Sequence, residues 1–330
     1  MAITTARATV VQRTQLGIES TYGTPVVASA RMPALTIKPK PMAESMEYNT
    51  QGRSFASLVV PNREWSQASI EGPMTYSELP YLLNSLFQHG SPIAGAHSDY
   101  VWTHAPSLDS ADTPEVFTIE HGDDSANGIR MSGAVVTDLT LDMSRQECKL
   151  TGTMLGLRWS TAFTLNGDAP RVENIPITAG SVKWYLDSVF GSIGTTQLTR
   201  FMKATIGITG RWQPEWVMDA NTGGSYTQLV MAKPTTNIQI VLEANAQAMG
   251  LFTQYRAGTL AYLQAVATGP TISTPDTYSL VMSIPVEIKE PLEYTDEGGT
   301  YAIGWSMCPI ADDTAGYPIQ FAIQNKLAHL

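Results

Sequence analysis

The chain has 330 residues, 43% apolar and 15% charged, which excludes a disordered protein and leaves room for one large or two ordinary domains. Thirty acids against twenty bases give a net charge of −10, which speaks against a protein that grips nucleic acid through its phosphates. It leaves open one past which nucleic acid must slide. Cys148 and Cys308 are too few for a disulfide framework or a cysteine zinc site and read as reduced strand residues. No run of eighteen apolar residues marks a membrane span, and residues 1–16 lack the apolar stretch of a signal peptide, so synthesis is expected to end in a bacterial or host cytoplasm.

In chain order, residues 1–31 read as an extended arm. Leu35 and Ile37 open a strand, a long loop follows, and a second strand ends at Glu71. Leu79, Leu82, Leu83, Leu86 and Phe87 then recur at three- and four-residue steps, one stripe of a helix, with Ser77 as N-cap, Pro80 in the first turn and Gly90 at the exit. Ser91 to Thr113 is rich in Pro, Ser and Asp and reads as an inserted surface loop. Val135, Thr137, Leu139, Leu141 and Met143 alternate with polar residues, turn at Ser144–Gln146, and continue through Cys148, Leu150, Gly152 and Met154. Residues 161–180, with Gly167, Pro170 and Pro176, read as a linker.

The order then starts again. Ile206 and Ile208 lie in a strand and Glu243 closes another. Asn245 caps a helix carrying Ala248, Leu251, Phe252 and Tyr255, which ends at Gly258. Tyr278, Leu280, Met282, Ile284, Val286 and Ile288 alternate with polar residues, and Tyr301, Ile303, Trp305 and Met307 form the partner strand. The segment 49–60 reappears at 221–231, a spacing of about 171 positions. In the same frame Leu35 and Ile37 correspond to Ile206 and Ile208, and Glu71 to Glu243. The chain is therefore read as mainly β with a few helices: two tandem copies of one β-sandwich or half-barrel, each flanked by one α-helix. The copies span 32–160, interrupted by the loop 91–113, and 181–330 with a C-terminal tail.

Gln15 to Pro25 contains Gly17, Glu19, Ser20, Gly23, Thr24 and Pro25 in the spacing Gly-x-Glu-Ser-x-x-Gly-Thr-Pro. Tyr100-Val101-Trp102-Thr103-His104-Ala105-Pro106 and Pro114 to Glu120 follow further on. These segments resemble the major tail tube proteins of siphophages, bacteriophages with long non-contractile tails, in a form with a duplicated tube domain. That resemblance implies a non-enzymatic structural protein of the virion tail without cofactors. Its subunits form rings, and the rings stack by helical assembly into a hollow tube that conducts double-stranded DNA during ejection. Two copies per chain imply a trimeric, pseudo-hexameric ring, with a hexamer of the duplicated chain as the other assembly. The resemblance also implies a tape-measure protein and double-stranded DNA in the lumen, held without tight binding, and tail terminator and distal tail or baseplate proteins at the ends. No membrane partner is implied.

Polar partners of the alternating strands would face the lumen: Glu71, Asp138, Asp142 and Glu147 in the first copy, Glu243 and Glu287 in the second. An acidic wall repels phosphate, although Lys38, Lys40, Lys149 and Lys289 also lie on polar faces. By the same resemblance the loops 49–57 and 221–228 stack one ring on the next, through Asn49, Thr50, Gly52, Ser54, Phe55, Asn221, Thr222, Gly224 and Tyr226.

No residue is assigned to metal or catalysis. Glu290, Glu293, Asp296 and Glu297 lack the EF-hand spacing and read as a solvated loop. His89, His97 and His104 do not follow a zinc-site spacing. No nucleophile elbow, phosphate loop or zincin motif is present. Two other readings stand beside the tube: a decoration or tail-tip β-sandwich module, and a carbohydrate-active β-sandwich enzyme with Trp159, Trp184, Trp212, Trp216 and Trp305 lining a cleft.

Overall fold

A computed structural model describes residues 9–123 and 128–330. The first half runs β1 (Arg13–Ile18), β2 (Ala30–Met32), β3 (Thr36–Tyr48), β4 (Leu58–Pro73), α1 (Leu79–Leu86), β5 (Ile93–Ala94), β6 (Tyr100–His104), β7 (Phe117–Gly122), β8 (Ile129–Ser144), β9 (Cys148–Gly156) and β10 (Trp159–Ser160). The second runs β11 (Val182–Asp187), β12 (Phe201–Thr209), β13 (Trp212–Glu215), β14 (Gln228–Met231), β15 (Thr235–Glu243), α2 (Ala246–Ala257), β16 (Leu260–Ser273), β17 (Asp276–Asp296), β18 (Tyr301–Pro309) and β19 (Gln320–Asn325).

The two halves repeat one set of antiparallel pairings. β1 pairs β7 as β11 pairs β16, and β3 pairs β4 as β12 pairs β15. β4 pairs β9 as β15 pairs β18, and β7 pairs β8 as β16 pairs β17. β8 pairs β9 and β10 as β17 pairs β18 and β19. A helix follows β4 and β15 in turn. This is the duplication expected from the sequence, now expressed as topology.

Both long strands serve two sheets. β8 lies against β7 and β10 at its start and against β9 and β12 at its end. Alternation along it puts Met131, Leu139, Leu141 and Met143 on a buried face, continuous with Ile206, Ile240, Trp305 and Ile288 in the second half. One hydrophobic core thus runs through both halves. Residues 161–180, expected as a linker, are packed onto it: Val172 and Ile177 are buried, and Ile177 N–H donates to the Met74 carbonyl.

Several expectations need correction. Of the arm at 1–31, residues 1–8 lie outside the described residues, but β1 and β2 are paired strands of the first half. The inserted loop 91–113 contains β5 and β6, and β6 pairs β19 from the far end of the chain with Trp102 fully buried. The acidic stretch from Glu290 continues β17 as far as Asp296 and only then turns. The N-cap position of α1 is Glu78, not Ser77; its side chain makes no capping bond, and its own N–H donates to Thr75 Oγ1. Asn245 does cap α2, accepting from Gln247 and Ala248 N–H, and Gly258 ends it in the left-handed region.

The two helices differ in cover. All eight residues of α1 are buried, because β6 and the turn after β12 close over the side away from the sheet. In α2 only Ala248 and Leu251 are buried, and Met249 and Tyr255 stay exposed.

Candidate functional site

β3, β4, β9, β8, β12, β15, β18 and the end of β17 form one continuous eight-strand run. Its face away from the helices is polar. Thr36, Glu71, Thr151, Thr140, Gly207 and Asn237 lie in one cross-strand row, and Lys149, Asp142, Thr205, Gln239 and Ser306 in another.

Glu71, Asp138, Asp142, Glu243 and Glu287 are all on this face, and Glu147 lies in the turn at its rim. They do not form a bare acidic surface. Glu147 pairs with Lys149 at 3.3 Å, Glu243 with Arg200 at 3.4 Å and Glu287 with Lys289 at 2.6 Å. Asp142 accepts the Thr205 hydroxyl at 2.8 Å, and Asp138 accepts Gly210 N–H at 2.7 Å. Lys38 and Lys203 add positive charge, so the face is hydrophilic and of mixed sign.

The seam between the halves is the β8–β12 ladder, from Ser144 opposite Lys203 to Leu139 opposite Ile208. The same two edges recur without partners. β3 is the counterpart of β12, and among the described residues it pairs only β4. β17 is the counterpart of β8, and beyond Glu287 the side that β12 occupies on β8 is open. Pro39 and Pro41 lie in β3, where they remove two backbone donors and suit an edge strand. The open end of β17 carries Glu290, Glu293 and Asp296, and β3 carries Lys38 and Lys40.

The two long loops differ. Residues 49–57, with Asn49, Thr50, Gly52, Ser54 and Phe55, form the tip of a ribbon that is exposed throughout. Around the tip Met46, Tyr48, Phe55, Leu58, Val59 and Val60 are exposed apolar residues, Phe55 at 83%. Such a patch on one ribbon marks a contact surface.

The second loop, with Asn221, Thr222, Gly224 and Tyr226, is folded back on the first half. Gly224 O accepts Glu64 N–H at 3.0 Å, Trp216 packs edge-on to Trp65 at 5.7 Å, and Arg63 lies 4.7 Å over the Trp216 ring. Tyr226 is buried against Trp216 and Tyr22, so its ring is held within the chain. Asn221 remains exposed at the loop tip.

The Gly-x-Glu-Ser segment has a packing explanation. Glu19 accepts Gly23 N–H at 2.7 Å, the Thr118 hydroxyl at 2.7 Å and Gly133 N–H at 2.8 Å, while burial raises its carboxyl above the usual range. Gly23 has φ +75, and Gly17 approaches the Val27 carbonyl so closely that a Cβ would lie 2.7 Å from it. The motif is a clasp that ties the end of β1 to β7 and β8.

The histidines go to separate places. His89 bonds Glu115, and His104 is buried on Trp102 with its pKa lowered to about 3 by desolvation. Among the described residues His97 is the one that shares a cluster with two carboxylates, which the sequence spacing did not reveal because Asp276 comes from β17. His97 Nδ1 lies 2.5 Å from Asp276, while Asp99 accepts from His97 N–H and from Gln324, a closed hydrogen-bond network between the halves. The tryptophans do not line a common cleft: Trp212 and Trp305 are core residues, and Trp184 stacks on Phe201.

No family model matches the chain, and no curated protein matches it. Among solved structures the chain is similar to the one titled "Hybrid structure of the SPP1 tail tube by solid-state NMR and cryo EM - NMR Ensemble". Identity is 15% and the TM-score 0.29, over 47% of this chain and 81% of that one; at that score the likeness carries no weight.

Proposed function

We propose that this chain is the major tail tube protein of a bacteriophage with a long non-contractile tail, a structural subunit and not an enzyme. The observation that carries the reading is the β8–β12 seam. It joins two halves that share one set of core pairings edge to edge and leaves the same two edges, on β3 and the end of β17, without partners among the described residues.

Pairing the end of β17 in one subunit with β3 of the next places the two edges as in that seam, without the two ladder bonds that Pro39 and Pro41 cannot donate. Three subunits supply six copies, so a trimer closes a pseudo-hexameric ring and covers both of these edges. The polar face of the eight-strand run then lines the channel. Its acids are mixed with lysines, so passing DNA meets hydrophilic groups without a continuous basic track to hold its phosphates. The exposed 49–57 ribbon tip makes the contact to the next ring. In the virion the lumen would hold the tape-measure protein before DNA, with terminator and distal proteins at the two ends.

Negative-stain electron microscopy of the purified protein over a concentration series tests this. Rings with six-fold-like end views, stacking into hollow tubes, are expected. A compact oligomer that never stacks would favour the decoration or tail-tip module, and a species with no ring at any concentration would overturn the assembly.

A further inference from the structure

The chain holds one example of how the leading segment of a copy meets the sheet of the copy before it. A 3-10 turn at Ala179–Ser181 runs directly into β11, just as a 3-10 turn at Thr9–Val11 runs towards β1. Ala179, Gly180 and Val182 share a small cavity with Met143 and Cys148 from the β8–β9 end. Inside the chain this end is covered: Met143 and Cys148 are both 4% exposed, and Ala179 and Val182 pack on the core they belong to.

The β17–β18 end has the same frame. Ser144 N–H donates to Glu147 O at 2.9 Å, and Glu297 N–H donates to Thr300 O at 3.0 Å, so the two hairpins close with turns of equal length. Counting from those turns, Tyr301 takes the place of Cys148, Asp296 that of Met143 and Tyr294 that of Leu141, since Met143 faces Cys148 as Asp296 faces Tyr301, and Leu141 faces Leu150 as Tyr294 faces Ile303.

The burial is reversed. Leu141 and Cys148 are buried, but Tyr294 is 45% and Tyr301 63% exposed. Their rings stack at 4.7 Å and 8° from parallel, and the Tyr294 hydroxyl lies 3.8 Å from the sulfur of Met249, itself exposed on α2. The other half of the contact is bare as well: Val10 is 89% and Val11 47% exposed. The valines and Tyr301 are therefore uncovered where their counterparts line one cavity within the chain, with Asp296 beside the tyrosines in the place of Met143.

We propose that Val10 and Val11 of one subunit seat on the Tyr294, Tyr301 and Met249 cluster of the next copy of this chain. The contact takes the place that Ala179–Val182 hold beside Cys148 at the cavity they share, and it rests on the ring reading above. Its position agrees with that ring, because the open edge of β17 and the turn at Glu297 are the counterparts of the β8 edge and turn next to that internal contact. Paired tyrosines suit such a surface, with a large apolar face for the valines and hydroxyls left at the rim.

The test is site-directed cross-linking of the full chain. A Val10→Cys, Tyr301→Cys double variant, oxidised mildly at ring-forming concentration, is expected to give inter-subunit disulfides that end in a covalently closed ring. Val10→Cys alone and Tyr301→Cys alone, which retain the native cysteines, should give none. A second variant, Val10→Asp with Val11→Asp, should weaken self-association at least about tenfold as read by sedimentation. Rings seen by microscopy without the cross-link, and assembling normally with both aspartates, would overturn the contact and leave the ring reading standing. A wild-type chain that never self-associates up to millimolar concentration overturns both.

Discussion

Arg211, in the turn after β12, is ion-paired with Asp112 of the segment inserted after α1, and the two side chains are 7% and 0% exposed. The pair fastens the second half of the chain to the first, together with Arg211 N–H donating to the Thr137 carbonyl and Trp212 Nε1 to the Leu86 carbonyl. Removing one partner strands a buried charge. Asp112→Ala should cost about 3–5 kcal/mol in denaturant unfolding, and Asp112→Leu with Arg211→Met should recover most of it. A loss under about 1 kcal/mol for the single change would mean that water reaches the pair.

Glu78 gives a pH dependence of known sign. Its carboxylate accepts Ala34 and Leu35 N–H at 3.0 and 2.9 Å, yet desolvation outweighs these bonds and raises the carboxyl from 4.5 to about 7. Folded protein then holds the proton more tightly than unfolded chain. The stabilising contribution is fully present below about pH 4.5 and is lost as pH rises through about 7. It amounts to on the order of 3 kcal/mol. Glu78→Gln should flatten the stability profile over that window relative to wild type; parallel profiles would remove Glu78 as the cause.

The ribbon tip separates stacking from folding. Phe55 and Val59 are 83% and 55% exposed, so Phe55→Asp with Val59→Asp should change stability by no more than about 0.5 kcal/mol per site. Rings should persist and tubes disappear in the microscope. Normal tubes from this variant would take the ribbon out of the stacking contact.

Charge on the two open edges should set ring closure. Lys38→Glu with Lys40→Glu would bring like charges against Glu290, Glu293 and Asp296 of the neighbour, and ring formation should fall at low salt. Adding Glu293→Lys and Glu290→Lys should restore it. If the four-site variant stays monomeric while refolding normally, the two edges do not meet.

Much of this was legible from alternation and repetition. The strands around Val135–Met154 and Tyr278–Met307 follow their period-two patterns, because each has one buried and one wet face. The repeat frame slipped, however. Gly152 faces both Ile70 and Leu139, and its counterpart Trp305 faces Ile240, so Ile70 matches Ile240 and Ile37 matches Ala204 instead of Ile208. The slip is four residues on β12 and two on β15. Being even, it kept every face assignment and lost only the register.

Non-local structure was less visible. β6 looked like loop because its ladder partner, β19, lies more than two hundred residues away, and β1 looked like an arm because β7 comes about a hundred residues later. The end of β17 looked solvated because its acids lie on an edge that no described strand pairs. The docking of Trp216 and Tyr226 onto the first half also had no local signal, since the same loop sequence in the first half is left free.

The internal seam changes the concentration dependence of ring closure as well as its geometry. In the proposed ring, three of six copy-to-copy junctions form when each chain folds, at the high effective concentration of tethered partners. Only three wait on collision. The equilibrium yield of rings from free subunits then varies with the third power of concentration, where six separate copies would require the sixth. Dilute subunits can therefore close rings at concentrations where single-copy chains would remain dispersed.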